Sequence, residues 1–187
     1  MDLEKINNYL KKNLTEKRYN HSVRVAEMCA EIAELCDYDK DKAYFAGLTH
    51  DICKEIPKDK MISMVEKSKY SICEYELSHL SLLHGKAGAY VLETEFGITD
   101  EEILGAVAYH VSGTVDYGKL VKILYIADKN ERGRDFVTDE YIKMLYAMSL
   151  DEMFKFAYKN VYEHMQKMNF TIYEDTYRIL DNLGLAR

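Results

Sequence analysis

Ala43-Tyr-Phe-Ala-Gly-Leu-Thr-His-Asp51 ends in an imidazole and a carboxylate on neighbouring residues, and the rest of the chain is best understood from this pair. Adjacent residues point about 100° apart on a helix, so His50 and Asp51 cannot share one helix face. At a helix end, however, the backbone can turn both side chains toward one point. Imidazole and carboxylate suit a divalent metal ion, and a carboxylate can bridge two ions. Because a His-Asp pair also occurs by chance, this interpretation depends on further ligands elsewhere.

The composition is that of a folded protein with an acidic surface. The chain has 187 residues, of which 48% are hydrophobic, and this is enough for a packed core. The formal net charge of -7 argues against nonspecific binding of nucleic acid, which needs a basic face. A small phosphorylated ligand held by a local group of cations and metal ions stays compatible with this charge.

The cysteines give no sign of a metal or redox motif. No pair has Cys-x-x-Cys spacing, so neither a zinc knuckle nor a thioredoxin-like site is indicated. We interpret all four as reduced thiols: Cys29, Cys36, Cys53 and Cys73. No signal peptide and no apolar run long enough for a bilayer are visible, so we expect a cytoplasmic protein.

The hydrophobic pattern predicts an all-α fold. Apolar residues recur at spacings of three and four, and Pro57 is the only proline. Nothing resembling a linker or repeat divides the chain, so we expect one domain over residues 1–187. Residues 70–85 fit either a helical turn or a loop. The predicted helices cover about 2–13, 20–36, 39–50, 58–67, 86–96, 117–129, 138–149, 151–167 and 173–182.

Two local patterns add detail to these helices. Ala43, Ala46 and Gly47 are small residues on the face that leads to His50, which permits close packing against another helix. Thr99-Asp-Glu-Glu opens a further helix, and a hydroxyl followed three residues later by Glu102 is the pattern of a capping box.

Several polar residues take helix positions that should be apolar. His21 extends the apolar stripe of the second helix, and His110 does the same after Val107. Asp128 shares a face with apolar residues, and a buried carboxylate needs a cation or strong donors. His84 lies just before a helix. Each histidine alone would more often be an ordinary core residue, but the joint pattern favours metal ligation.

Together these residues predict a dinuclear metal centre bridged by Asp51. Six ligands are more than one zinc ion normally takes. The first ion would bind His21, His50 and Asp128, and the second ion would bind His84 and His110. Nitrogen and oxygen ligands without thiolate favour iron or manganese, with zinc or cobalt as alternatives.

The order of these residues resembles the HD superfamily of metal-dependent phosphohydrolases. Local strings are similar to one branch, the YqeK family of bacterial HD-domain proteins, which hydrolyse diadenosine tetraphosphate symmetrically to two ADP. Four strings carry the resemblance: 47–57 (GLTHDICKEIP), 83–89 (LHGKAGA), 108–113 (AYHVSG) and 125–136 (YIADKNERGRDF). The resemblance implies a helical HD-domain bundle with a core over about 18–140 and a C-terminal helical extension over about 138–187. One departure is visible, because the family's Glu-Pro-Gly-Arg turn reads Glu131-Arg-Gly-Arg134 here.

The implied activity is that of a symmetrical bis(5'-nucleosyl)-tetraphosphatase. Two cations can clamp phosphate oxygens and lower the pKa of a bound water, so that a hydroxide attacks phosphorus. Asp51 and the nearby Lys54 are the candidate catalytic residues. Four cations are candidates for the remaining phosphates: Arg24, Lys54, Lys86 and Arg134. Tyr109 and Tyr125 are weaker candidates for stacking on a base.

Two alternatives stay open from the residues alone. Other HD-type nucleotide phosphohydrolases, such as nucleotidases and phosphodiesterases, share this ligand set, and a non-catalytic protein could use the same pocket to sense a nucleotide. Family analogy also suggests a homodimer, with neither nucleic acid nor membrane as partner. His79 is expected in an exposed loop and His164 at a helix edge.

Overall fold

The all-α prediction is confirmed. The computed structural model describes residues 1–111, 113–114 and 118–185, and within these ranges the regular structure is helical without strands. A 3₁₀ helix at Leu80–Leu83 lies among the α-helices. These are α1 Leu3–Asn13, α2 Glu16–Leu35, α3 Lys40–Thr49, α4 Lys58–Glu66, α5 Glu74–Ser78, α6 His84–Phe96, α7 Glu101–Tyr109, α8 Lys119–Asn130, α9 Asp139–Tyr146, α10 Leu150–Lys167 and α11 Glu174–Asn182.

Helix ends differ from the predicted ones where a polar side chain caps the helix. α2 begins at Glu16 rather than 20, because the Thr15 hydroxyl accepts a hydrogen bond from the Arg18 backbone nitrogen. Asp100, not Thr99, caps α7 by accepting from the first-turn nitrogens, so the capping box predicted at Thr99 is wrong. The predicted start of a helix at 117 lies outside the described residues.

Several of the helices pack on α8. α2 packs along α3 and α8, α7 packs against α6 and α8, and α10 also packs on α8. Buried apolar side chains from these helices form a contiguous core cluster. Among the described residues, no helix has the length and apolar character needed to span a bilayer.

α2 and α3 approach each other so closely that Gly47 has no room for a side chain. A Cβ atom at this position would lie 2.7 Å from the Cα of Ala26 and 2.9 Å from its backbone nitrogen. Backbone atoms cannot move aside as a flexible side chain can. The close packing predicted from the small residues of this helix is therefore confirmed, and it places the C-terminal end of α3, with His50, beside α2.

Gly47→Ala is expected to lower the free energy of unfolding by about 1–3 kcal/mol, because overpacking outweighs the roughly 1 kcal/mol gained in helix propensity. Gly105→Ala in α7 is the matched control, since a Cβ there meets no heavy atom within 4 Å. We expect this control to raise the free energy of unfolding by about 0.5–1 kcal/mol. Urea unfolding followed by circular dichroism measures both variants, and a neutral Gly47→Ala would contradict the close packing.

Candidate metal centre

Six polar side chains from five separate segments converge in one buried cluster. Helices α2, α6 and α8 each contribute one residue, the end of α3 contributes two, and the end of α7 contributes one. Each side chain is nearly inaccessible to solvent: His21, His50, Asp51, His84, His110 and Asp128. The structure therefore brings together all six ligands predicted from the sequence.

The carboxylate of Asp51 lies between two pairs of histidines, with one oxygen facing each pair. Its Oδ2 is 3.4 Å from Nε2 of His50 and 3.9 Å from Nε2 of His21. Its Oδ1 is 3.0 Å from Nε2 of His84 and 3.6 Å from Nε2 of His110. A carboxylate in this position has the geometry to bridge two cations.

Asp128 completes the half of the cluster that contains His21 and His50. Its Oδ1 is 3.1 Å from Nε2 of His21 and 3.7 Å from Nε2 of His50. Three sets of ligand atoms lie close enough together to hold one metal ion each: His21, His50 and Asp51; His50, His110 and Asp128; and Asp51, His84 and His110. The last set consists of the two histidines predicted for the second ion, together with Asp51, the predicted bridging residue.

Backbone hydrogen bonds fix the orientation of three of the imidazole rings. Each ring uses Nδ1 to donate to the carbonyl oxygen three residues earlier: His50 to Gly47 at 2.6 Å, His84 to Ser81 at 2.6 Å and His110 to Val107 at 2.7 Å. Since a carbonyl oxygen can only accept, Nδ1 must carry the proton. In the neutral ring, Nε2 therefore presents a lone pair to the cluster, as a metal-binding imidazole requires.

Two features of the cluster fit a bound cation better than a self-contained hydrogen-bond network. Nε2 of His84 and Nε2 of His110 face each other at 3.1 Å, and two neutral acceptors at this distance repel unless a cation lies beside them. Nε2 of His50 is buried without a hydrogen-bond partner, and such an atom is costly to bury. The donor set is thus suited to divalent metal ions.

The electrostatics of the cluster also favour positive charge at its centre. Burial alone would raise the pKa of Asp51 and Asp128. Neighbouring imidazoles, and for Asp128 first of all Lys129, outweigh this effect and hold both pKa values well below their usual range. Burial lowers the pKa of His110 to about 4. Burial opposes protonation of His50 too, yet the two carboxylates raise its pKa to about 10. Without metal this ring therefore carries a second proton on Nε2, which a bound metal ion would replace. The two carboxylates are therefore ionised and need cations.

Comparison with known proteins assigns the chain to a family. Residues 18–133 match the family model described as HD domain. The chain belongs to the HD-domain family. It is 39% identical to a symmetrical bis(5'-nucleosyl)-tetraphosphatase of Staphylococcus aureus, over 94% of this chain and 91% of that protein.

Further relatives extend the similarity over most of this HD-domain chain. A symmetrical bis(5'-nucleosyl)-tetraphosphatase of Bacillus subtilis is 34% identical, over 90% of each chain. A crystal structure from Clostridium acetobutylicum, described as a predicted HD superfamily hydrolase involved in NAD metabolism, is 31% identical with a TM-score of 0.89. The match covers 98% of this chain and 97% of that one.

Glu131 is a functional candidate that the sequence analysis missed in this HD-domain protein. It is buried, and its Oε1 is 3.1 Å from Nδ1 of His21. The same carboxylate accepts from the Arg24 guanidinium and from the backbone nitrogen of Gly133. Burial opposes ionisation, but these partners lower the pKa of Glu131 to about 2. The ionised carboxylate therefore orients His21, the one cluster histidine whose Nδ1 bonds to a side chain.

A rim of four partly exposed cations surrounds the HD-domain cluster. Arg18 donates to Oδ2 of Asp51 at 2.8 Å, and Lys129 donates to Oδ2 of Asp128 at 2.6 Å. The other two are sequence candidates: Lys54, whose Nζ lies 3.2 Å from Nε2 of His84, and Arg134, which donates to the Asp128 carbonyl at 2.7 Å. Burial lowers the pKa of Lys54. Arg18 and Lys129 were missed because a charged residue in an amphipathic helix gives no sign of which way it points.

Two other cations named in the sequence analysis have internal partners. Lys86 is buried and donates to Glu76 and to the Ser71 carbonyl at 2.8 Å. We therefore correct the expectation that it contacts phosphate, because its ammonium neutralises Glu76 within the fold. Arg24 is held by Glu131 at the edge of the cluster.

The remaining sequence candidates lie outside the cluster. His79 is exposed, as predicted, and His164, for which a helix edge was predicted, is exposed on α10. Tyr125 is 3% exposed and stacks on Tyr158 in the core, with ring centroids 5.3 Å apart. Its ring therefore serves packing rather than base stacking, whereas Tyr109 packs edge-on against Tyr70.

Proposed function

We propose that this HD-domain protein is a symmetrical bis(5'-nucleosyl)-tetraphosphatase that converts diadenosine tetraphosphate and water into two ADP. The observation that carries the proposal is the Asp51 carboxylate placed between two histidine pairs beneath a rim of cations. Relatives of nearly the same length, named for this activity, support the choice of substrate. The match over 18–133 also supports an HD core near 18–140 within one domain.

The rim of cations suits a polyphosphate substrate on an otherwise acidic protein. Formal net charge is -7, yet Arg18, Lys54, Lys129 and Arg134 all point toward the same cluster. Arginine can bind two phosphate oxygens at once, while lysine acts as a point charge. We propose that the two arginines orient the phosphate chain and that the two lysines neutralise it.

The proposed cofactors are two divalent metal ions, with iron preferred. Six nitrogen and oxygen ligands exceed the needs of one ion, and the absence of thiolate among them favours iron or manganese over zinc. When bound, such ions supply positive charge to the phosphate oxygens and lower the pKa of a nearby water. We propose His21, His50 and Asp128 for one ion, His84 and His110 for the other, and Asp51 for both.

Side chains of the protein also contribute to hydrolysis of the phosphate chain. The oxygen of water forms a bond to one central phosphorus, the central P–O–P bond breaks on the far side, and the second ADP leaves as a phosphate anion, while the protons of the water pass to solvent. Lys54 lies 3.9 Å from Oδ1 of Asp51, and Arg18 lies on the Oδ2 side. We propose that these two cations stabilise negative charge on the attacked and departing phosphates.

Product analysis tests this function directly. Protein purified without oxygen and supplied separately with Fe²⁺, Mn²⁺, Co²⁺ or Zn²⁺ is expected to convert diadenosine tetraphosphate to ADP as the sole nucleotide. Reaction in ¹⁸O-labelled water should place one label on the terminal phosphate of half of the ADP. Ion-exchange chromatography and mass spectrometry measure both results, with chelator-treated protein as the control. ATP plus AMP as products, or no turnover with any of the four metals, would overturn the proposal.

A further inference from the structure

A groove with a volume of about 590 Å³ opens beside the cluster, between the turn that follows α8 and helices α9 and α10. Its walls include Lys129, Arg134, Phe136, Tyr141, Asn160 and His164. In the described part of the chain, the groove's lining contains no carboxylate. This is a notable local composition for a protein with 32 acidic residues, and it suits a phosphorylated ligand.

Two residues that line the groove also contact the candidate metal centre. Lys129 donates to Oδ2 of Asp128 at 2.6 Å, and Nη2 of Arg134 donates to the carbonyl of the same residue at 2.7 Å. Nε of Arg134 is buried without a hydrogen-bond partner. Both cations thus contact a proposed metal ligand and line the groove, so they are placed to bind a phosphate chain that reaches from the centre into the groove.

The lining of the groove also includes an exposed aromatic ring. Phe136 is 56% exposed and packs edge-on against Tyr141, with ring centroids 5.6 Å apart. Hydrogen bonds from Arg134 to the Glu131 carbonyl and from Val137 to the Arg134 carbonyl hold the turn that carries it. An exposed aromatic ring on an ordered turn can stack on a nucleobase, and such stacking tolerates any base.

We propose that this groove binds one nucleoside of the substrate, with its base stacked on Phe136 and its phosphates passing Lys129 and Arg134 to the metal centre. The assignment rests on the proposed function, since a dinucleotide substrate supplies both a base and a phosphate chain. The volume lies within the roughly 300–1,000 Å³ typical of small-molecule sites. A tyrosine-lined cavity near Tyr75 and Tyr162 has a volume of only about 90 Å³, which is too small for a nucleoside.

Binding of etheno-ADP, a fluorescent analogue of the product, tests the groove without relying on hydrolysis. The protein contains no tryptophan, so the signal of the stacked etheno base is free of tryptophan interference. In the metal-loaded protein, Phe136→Ala is expected to raise the Kd for etheno-ADP about tenfold, the order expected for loss of one base–aromatic stack. Phe136→Tyr, which keeps an aromatic ring and adds no tryptophan, should bind etheno-ADP with the affinity of the wild type.

The controls separate loss of stacking from a general loss of binding. Leu35 is 54% exposed at the end of α2, so Leu35→Ala removes a similarly exposed apolar side chain and should leave the Kd unchanged. Affinity for inorganic pyrophosphate, measured by competition, should be the same in Phe136→Ala and wild type. Equal etheno-ADP affinity in Phe136→Ala and wild type, or no binding by the wild type, would overturn the groove assignment.

The two proposals fail in different ways. If the wild type did not cleave diadenosine tetraphosphate but still bound etheno-ADP through Phe136, the groove would stand and the hydrolase function would fall. If the wild type released two ADP and Phe136→Ala kept the wild-type KM and Kd, the hydrolase function would stand and the groove assignment would fall.

Discussion

Asp51→Asn is expected to lower kcat for diadenosine tetraphosphate by about 10³-fold or more, because transition-state stabilisation by the whole cluster depends on this carboxylate. The wild-type carboxylate directs one anionic oxygen to each histidine pair. An asparagine keeps the shape but replaces one of these oxygens with an NH₂ group, which cannot coordinate a cation. The bridge would therefore be lost, while the packing around residue 51 would be kept.

Metal analysis distinguishes loss of the bridge from loss of the fold. We expect Asp51→Asn to retain less metal than wild type after desalting, with an unchanged far-ultraviolet circular dichroism spectrum. Asp59 is an exposed carboxylate on α4, and Asp59→Asn serves as the matched control with wild-type turnover and metal content. Full activity of Asp51→Asn would contradict the bridging role.

Glu131→Gln is expected to lower metal affinity and turnover by about 10- to 100-fold, the usual cost of losing a partner of a ligating histidine. The glutamine carbonyl can still accept from Nδ1 of His21. Its NH₂ group, however, then faces the Arg24 guanidinium and the Gly133 backbone N–H, which are themselves donors. Because hydrogen-bond donors then face each other, we expect the turn that carries residue 131 to shift and the ring of His21 to shift with it.

The pH dependence of stability provides an independent measurement on Glu131. Its folded-state pKa of about 2 lies below the unfolded value of about 4.3. The ionised carboxylate therefore stabilises the fold above the unfolded pKa, and this contribution is lost as the pH falls toward 2. We expect the difference in unfolding free energy between metal-free wild type and Glu131→Gln to shrink between pH 6 and pH 3. Glu66→Gln, at an exposed position of α4, should show no such trend.

The fold and the cluster could be predicted from the sequence because both follow from helical periodicity. Polar residues that extend an apolar stripe, such as His21 and His110, must point inward once the helix packs. The face of a helix therefore indicates burial, and burial of several imidazoles indicates a shared centre. The distances between them, and the division of the Asp51 oxygens between two pairs, required the packing of five segments that are distant in sequence.

Charged residues near the cluster were harder to predict, because an amphipathic pattern does not show which solvated side chain bends toward a site. Arg18 lies one turn before His21, and Lys129 directly follows Asp128, yet neither position differs from an ordinary helix surface. Lys86 was assigned wrongly because its partner Glu76 belongs to residues 70–85, whose conformation the sequence left open. Glu131 was quoted in a motif, but only its distance to His21 indicates what it does.

The turn after α8 is joined to α2 at the position where the Glu-Pro-Gly-Arg motif of the sequence analysis has a proline. Arg132 occupies that position, and its Nη1 donates to Glu31 of α2 at 2.9 Å. This ion pair links the turn to α2. Glu131 and Arg134 of the same turn lie close together, with Nε of Arg134 3.8 Å from Oε1 of Glu131.

The four imidazoles differ in whether a single substitution elsewhere in the chain can remove the hydrogen bond that orients the ring. Three rings are oriented by main-chain carbonyls of residues 47, 81 and 107, which no single amino-acid replacement can delete. The orientation of His21 instead depends on one carboxylate side chain, which a single codon change can remove. Inherited loss of the centre without loss of any cluster residue should therefore arise most readily at position 131.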